Sequence, residues 1–210
     1  MEDLSFEQGP IRPPSEARSL LVRVTRNCPW NKCAFCNSYR DTAFSLRTVE
    51  EVKKDIRIAG DIAAEIRSLS WKMGEGGRVP GDVINHLWNH DGPHHDGYRS
   101  VGAWLYYGGE SVFLQDANSL IVKTADLVEI LDFIKETFPQ VSRITSYCRS
   151  KTAARKSVEE LKSLRAAGLS RIHIGMESGY DPLLAFIRKG TTAAEHVEGG
   201  KRIVDAGISL

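Results

Sequence analysis

No stretch of this sequence approaches the roughly 18 apolar residues that a membrane-spanning helix needs. The first residues, Met1-Glu2-Asp3-Leu4-Ser5, lack the positive start and apolar run of a secretion signal, so a cytoplasmic location is expected. Charge of one sign is missing too. Lys and Arg number 28 against 27 Asp and Glu, a net charge of +1, which gives no reason to invoke nucleic acid or a membrane surface as partner. Cysteine is scarce. The 210 residues hold four, and three of these fall together as Cys28, Cys33 and Cys36. In a reducing cytosol such clustering favours metal binding or catalysis over disulfides. Cys148 stands alone in an apolar, strand-like stretch and reads as a small buried hydrophobe.

What is present is an alternation of strands and helices. After a Pro-rich lead (residues 1–19), Leu20 to Thr25 reads as a first strand running straight into the cysteines. Thr48 opens a helix as N-cap, with Glu51 completing a capping box, and Val49, Val52, Ile56, Ile62 and Ile66 place an apolar stripe on one face. Ser111 to Asp116 is a second strand, followed by the helix of Leu127, Ile130, Leu131, Ile134 and Phe138, which Pro139 closes. Arg143 to Tyr147 is a third. Ser157 and Glu160 cap a helix carrying Leu161 and Leu164 inward, and Gly168 stops it. Arg171 to Met176 is a fourth strand. Thr192 and Glu195 cap a last helix, ended by Gly207 before Ile208-Ser209-Leu210.

This order implies βαβ units, right-handed crossovers and a parallel α/β sheet. The expected architecture is part of a (βα) barrel or an open doubly wound sheet, with about four complete units over residues 20–210; a partial (βα) barrel is the form expected if the resemblance given below holds. Residues 70–107, rich in glycine, interrupt the rhythm and read as an insertion with at most one or two short helices. Because a fifth strand only begins at the last residues, the fourth is expected to leave an open edge through which chains could associate.

The loop reads Cys28-Pro29-Trp30-Asn31-Lys32-Cys33-Ala34-Phe35-Cys36, a C-x4-C-x2-C arrangement at the C-terminal end of the first strand. Parallel α/β folds build their sites at that end. Three thiolates this close can share one cubane cluster and leave one iron without a protein ligand, and an open position marks a reactive rather than a structural metal site. The alternatives are a zinc knuckle that borrows a fourth ligand from a distant His or from Cys148, and a metal-free loop.

With Phe35 before its last cysteine and Asn37-Ser38-Tyr39-Arg40 after it, the loop resembles that of the radical S-adenosylmethionine (SAM) superfamily. The segment Ile174-Gly175-Met176-Glu177-Ser178-Gly179 is similar to the strand-four motif of the branch with oxygen-independent coproporphyrinogen oxidase and the methylthiotransferases. The spacing departs from the commonest family pattern, C-x3-C-x2-C, by one residue. The resemblance implies a [4Fe–4S] cluster on Cys28, Cys33 and Cys36 whose open iron chelates SAM. One electron, from a donor such as ferredoxin or flavodoxin, then releases a 5′-deoxyadenosyl radical that takes hydrogen from an unknown substrate. It also places Phe35 near the adenine, Glu177 on the SAM ribose or amino group, and Arg149 on the SAM carboxylate, which a guanidinium fork suits. Two other readings are a shortened relative that binds a cluster without turning over and a zinc-binding interaction module.

Gly108-Gly109-Glu110 spells a Gly-Gly-Glu motif that binds the SAM amino group in many family members, where it ends strand two. Here it precedes that strand, and a strand of about six residues spans roughly 20 Å, so Glu110 is expected at the wrong rim. Asp116 and Asn118, after the strand, are the candidates for its work. His86, His90, His94 and His95, with Asp91 and Asp96, form a His-rich stretch in the insertion, and His86 and His90 lie four apart as two ligands on one helical face would. Gly92 and Pro93 break any helix there, so a polar loop without metal is the plainer expectation. Trp104, Tyr106 and Tyr107 read as the packing edge of the insertion.

Overall fold

The computed structural model describes residues 4–89 and 96–210. A four-stranded sheet carries the fold: β1 (Leu20–Arg23), β4 (Ser111–Gln115), β5 (Arg143–Tyr147) and β6 (Leu169–His173), hydrogen-bonded in that order. Every pairing is parallel, with Leu20 beside Val112, Ser111 beside Arg143 and Ile144 beside Leu169. All C-terminal ends therefore share one rim. Ser209 forms a parallel bridge with Arg171 on the free side of β6, where the fifth strand was expected to begin.

Helices cover one face. The crossover from β1 to β4 runs through α1 (Val49–Lys72), α2 (Gly81–Asn89) and α3 (Asp96–Tyr106). Then come α4 (Thr124–Thr137), α5 (Ser150–Ala153), α6 (Val158–Ala166), α7 (Asp181–Phe186) and α8 (Ala193–Asp205). All three expected capping boxes form, at Thr48/Glu51, Ser157/Glu160 and Thr192/Glu195. The stripe of α1 buries Val52, Ile56, Ile62 and Ile66 in the core shared with Leu20 and Val22 of β1 and the apolar side of α4. Full burial of one such side chain contributes roughly 1.5–3 kcal/mol. The partial (βα) barrel with four units is thus the fold found. Among the described residues no helix is long and apolar enough to cross a membrane.

Several boundaries differ from those expected. The first strand does not run through Thr25. It ends at Arg23, and Thr25–Arg26 (β2) pairs antiparallel with Ser45–Leu46 (β3) in a separate ribbon. The fourth strand starts at Leu169 and ends at His173, so Ile174 to Gly179 form a loop instead of strand. Residues 70–107 are less of an insertion than their composition suggests. Val79, Val83, Ile84, Val101, Trp104 and Leu105 belong to the same core as the sheet. Tyr106 and Tyr107 stay half exposed, edge to face with each other. His90, Asp91, His94 and His95 lie outside the described residues.

The lead crosses the other sheet face, where side chains alternate with those under the helices. Gln115 Oε1 accepts from Gly9 N–H at 2.8 Å, and its Nε2 donates to the Gly9 and Ile11 carbonyls, each at 3.0 Å. Glu16 is buried and accepts from Arg143 Nη1 at 3.1 Å and Nη2 at 3.2 Å. Phe113, Tyr147 and His173 stack edge to face on this side.

Candidate cluster and cofactor site

The three clustered cysteines sit in the excursion between β2 and β3, so the small ribbon staples the base of their loop. At its neck Val24 N–H donates to the Gln115 carbonyl at 2.8 Å, tying the loop to the end of β4. Two asparagines make the turns, Asn27 at φ 68° and Asn31 at φ 46°. This left-handed region is one that Asn tolerates better than most side chains. Asn31 Nδ2 bonds the carbonyls of Tyr39 and Thr42, and its N–H points at Cys28 Sγ from 3.5 Å.

On its far side the loop docks against the turn after α7. Ala34 N–H donates to the Ile187 carbonyl at 2.9 Å and Trp30 Nε1–H to the Arg188 carbonyl at 2.7 Å. The indole lies on Gly190, which sits at φ +68°, and a Cβ there would come within 2.3 Å of the ring. Replacing Gly190 by Ala should therefore cost more than backbone strain. Gly207 at φ +75° has nothing within 4 Å of an added Cβ and serves as the control. By urea unfolding, Gly207→Ala should cost about 1–2 kcal/mol, the penalty for a left-handed L-residue, and Gly190→Ala distinctly more. Equal costs would show that the indole does not need that space.

Cys28, Cys33 and Cys36 border one cavity of about 190 Å³, together with Arg149, Glu177 and Lys189. Cys33, Cys36 and Trp30 also border an open cleft of about 910 Å³. Burial pushes the Cys33 thiol up, and the Lys189 and Arg149 cations oppose that shift. Burial likewise lowers Arg149, while the Cys28 and Cys33 thiolates act the other way. Lys189 Nζ is 3.1 Å from Glu177 Oε1 and 5.6 Å from the centre of the Phe35 ring, which is 52% exposed. Arg149 lies 5.1 Å over Trp30, and its Nη2 donates to the Lys189 carbonyl at 2.8 Å and the Gly190 carbonyl at 3.1 Å. Glu177, at φ 63°, is on the loop after β6 and not on a strand.

Three thiols on one loop are a donor set that an iron–sulfur cluster could use. Among the described residues no three His, Cys, Asp or Glu side chains could hold one metal ion. Tetrahedral zinc would draw each sulfur to about 2.3 Å of one centre, whereas the irons of a cluster each take their own thiolate. Cys148 borders the same cavity, but its thiol donates to the Arg149 carbonyl at 3.2 Å, and burial pushes its pKa up to about 12.

Of the five residues expected around SAM, the fold brings Phe35, Arg149 and Glu177 to the cavity. Asp116 and Asn118 do not border it. Both are buried and their polar atoms are in use. Asn118 Oδ1 accepts from Arg149 N–H at 3.0 Å, and its Nδ2 donates to Thr152 Oγ1 at 2.9 Å. Asp116 is bonded to Arg23, Asn27 and Tyr39. Both therefore act on the loops that form the cavity instead of facing its contents. Glu110 is exposed at the opposite rim, where its carbonyl accepts from Ser142 and Arg143 N–H. Lys189 and Ile11 of the lead also border the cavity and were not singled out from sequence, while Trp30 and Tyr39 entered only as members of the loop motif.

No family model and no curated protein matches the sequence. Solved structures do. The cobalamin-dependent S-adenosylmethionine radical enzyme OxsB with aqua-cobalamin bound aligns over 93% of this chain and 24% of that one, with a TM-score of 0.56 and 16% identity. With aqua-cobalamin and S-adenosylmethionine bound, the same enzyme aligns over 93% and 24%, with a TM-score of 0.53 and 15% identity. Its apo form aligns over 91% and 23%, with a TM-score of 0.56. The chain thus spans about a quarter of the length of that enzyme, and what it shares with it is the fold of a SAM radical enzyme's parallel (βα) core.

Proposed function

We propose that this chain belongs to the radical SAM superfamily and binds a [4Fe–4S] cluster through Cys28, Cys33 and Cys36. The observation that carries the reading is the convergence of those three thiols, Arg149 and Glu177 on one cavity at the C-terminal rim of the sheet. Bound there and reduced, the cluster would supply the electron that splits SAM into methionine and a 5′-deoxyadenosyl radical. The chain's own residues do the rest. Arg149 Nη2 already donates to the Lys189 and Gly190 carbonyls, and either Nε or Nη1 can give the SAM carboxylate a single charge-assisted hydrogen bond. Glu177 can exchange Lys189 for the SAM amino group or ribose. Phe35 offers an exposed ring to the adenine. A one-electron donor of the ferredoxin or flavodoxin type is the partner such chemistry requires.

The test is anaerobic reconstitution followed by calorimetric titration with SAM and, under reducing conditions, assay of 5′-deoxyadenosine. Losing a charge-assisted hydrogen bond costs roughly 1.5–3 kcal/mol, on the order of ten- to a hundredfold in affinity. Glu177→Ala and Arg149→Ala should each weaken SAM binding by about that factor, and Glu110→Ala should leave it unchanged. A Glu110→Ala variant that alone loses binding would overturn the site.

A further inference from the structure

Asp116 ends up in a place that its sequence position does not announce. It follows β4 and is 0% exposed. Its Oδ2 accepts from Arg23 Nε at 2.8 Å and from Asn27 N–H at 2.7 Å, and its Oδ1 from Tyr39 Oη at 2.9 Å. Asn27 is the residue before Cys28, and Tyr39 follows Cys36 by three. One carboxylate therefore holds both ends of the cysteine loop. Arg23, which neutralises it, is fixed in turn by Glu7 at 2.8 Å and Asn27 Oδ1 at 3.1 Å. Gly9 of the lead closes the back, because a Cβ there would lie 2.3 Å from Asp116 Oδ1.

Resting on the cluster reading above, we propose that Asp116 is a positioning residue that fixes the ends of the cysteine loop, and with them the spread of the three thiols, and that it does not itself contact SAM. A buried carboxylate suits this task. Each acceptor site is directional, and a buried charge left with an empty acceptor site is costly, so every donor is held firmly. Tyr39 is only 2% exposed, and burial together with the Asp116 charge raises its phenol far above the usual range, so it remains a donor at any working pH.

The experiment uses the iron-free chain under anaerobic conditions, with iodoacetamide as probe and mass spectrometry to read each cysteine separately. Asp116→Asn and the milder Tyr39→Phe should each raise alkylation at Cys28 or Cys36 by roughly tenfold, the factor that a lost hydrogen bond to a charged group carries. Cys148, buried beyond the loop, should react as in the wild type. Rates unchanged at all three loop cysteines in both variants would overturn the proposal. So would a parallel rise at Cys148, which would mean general loosening instead of a local release. If Asp116 were instead a direct SAM ligand, Asp116→Asn would lose SAM affinity in the reconstituted protein with its thiol rates unmoved. Failure of the cluster reading shows elsewhere, as a wild-type chain that takes up no iron and sulfide although its thiol rates respond to these substitutions.

Discussion

Replacing Cys28, Cys33 and Cys36 together by Ala should reduce the iron and acid-labile sulfide of the reconstituted chain to background, while Cys148→Ala should keep wild-type content. The contrast rests on the difference between the two sites. The first three thiols are partly exposed on a loop that borders the cavity, within reach of the Lys189 and Arg149 charges. A thiol open to the cavity can release its proton as iron binds, since metal binding displaces protons from its ligands. Cys148 is buried, bonded to a carbonyl and held as a thiol. The urea midpoint of the triple variant should stay close to the wild type, because neither the ribbon β2–β3 nor the Asp116 contacts involve a sulfur. A triple variant that still takes up iron and sulfide would remove the basis of the proposed function. Zinc retained at one equivalent per wild-type chain, without sulfide, would revive the knuckle.

The parts of this fold that were legible in sequence are those decided locally. A capping box needs two side chains three residues apart and nothing from the rest of the chain, and the three expected ones formed. The stripe on α1 was equally readable, since a helix repeats its face every few residues. What was misjudged depended on distant partners. Thr25 and Arg26 have strand-forming neighbours, and only the position of Ser45 and Leu46 decides that they leave the main sheet. Asp116 and Asn118 were placed on the right rim, but which way a side chain points after a strand ends is set by Arg23, Tyr39 and Arg149, all remote in sequence. Lys189 carries no pattern that would link it to Glu177, twelve residues earlier.

Trp104→Ala should be the most damaging single substitution outside the site, lowering unfolding stability by about 3–5 kcal/mol. The residue lies in a segment whose glycines suggested an insertion with at most one or two short helices, yet the indole is 1% exposed and meets Phe138 edge to face at a centroid distance of 5.0 Å. It fills the space between α3 and the end of α4, beside Leu105 and Val101. Removing it leaves a cavity that α3 cannot readily close, because α3 is also held by α1 and β1. One feature of the site separates volume from polarity. The Nε1–H of Trp104 is buried and has no acceptor among the described residues, so its hydrogen bond contributes nothing that Phe would forfeit. Trp104→Phe should accordingly cost far less, about 1 kcal/mol or so of lost contact, partly offset by relieving the unpaired donor. Urea unfolding followed by far-ultraviolet circular dichroism distinguishes the two. Domains of this kind hold only about 5–15 kcal/mol in all, so the Ala variant should sit near the edge of folding at 37 °C. If Trp104→Ala cost under about 1 kcal/mol, residues 70–107 would be the dispensable insertion their composition suggests, and the core of this fold would end at α1.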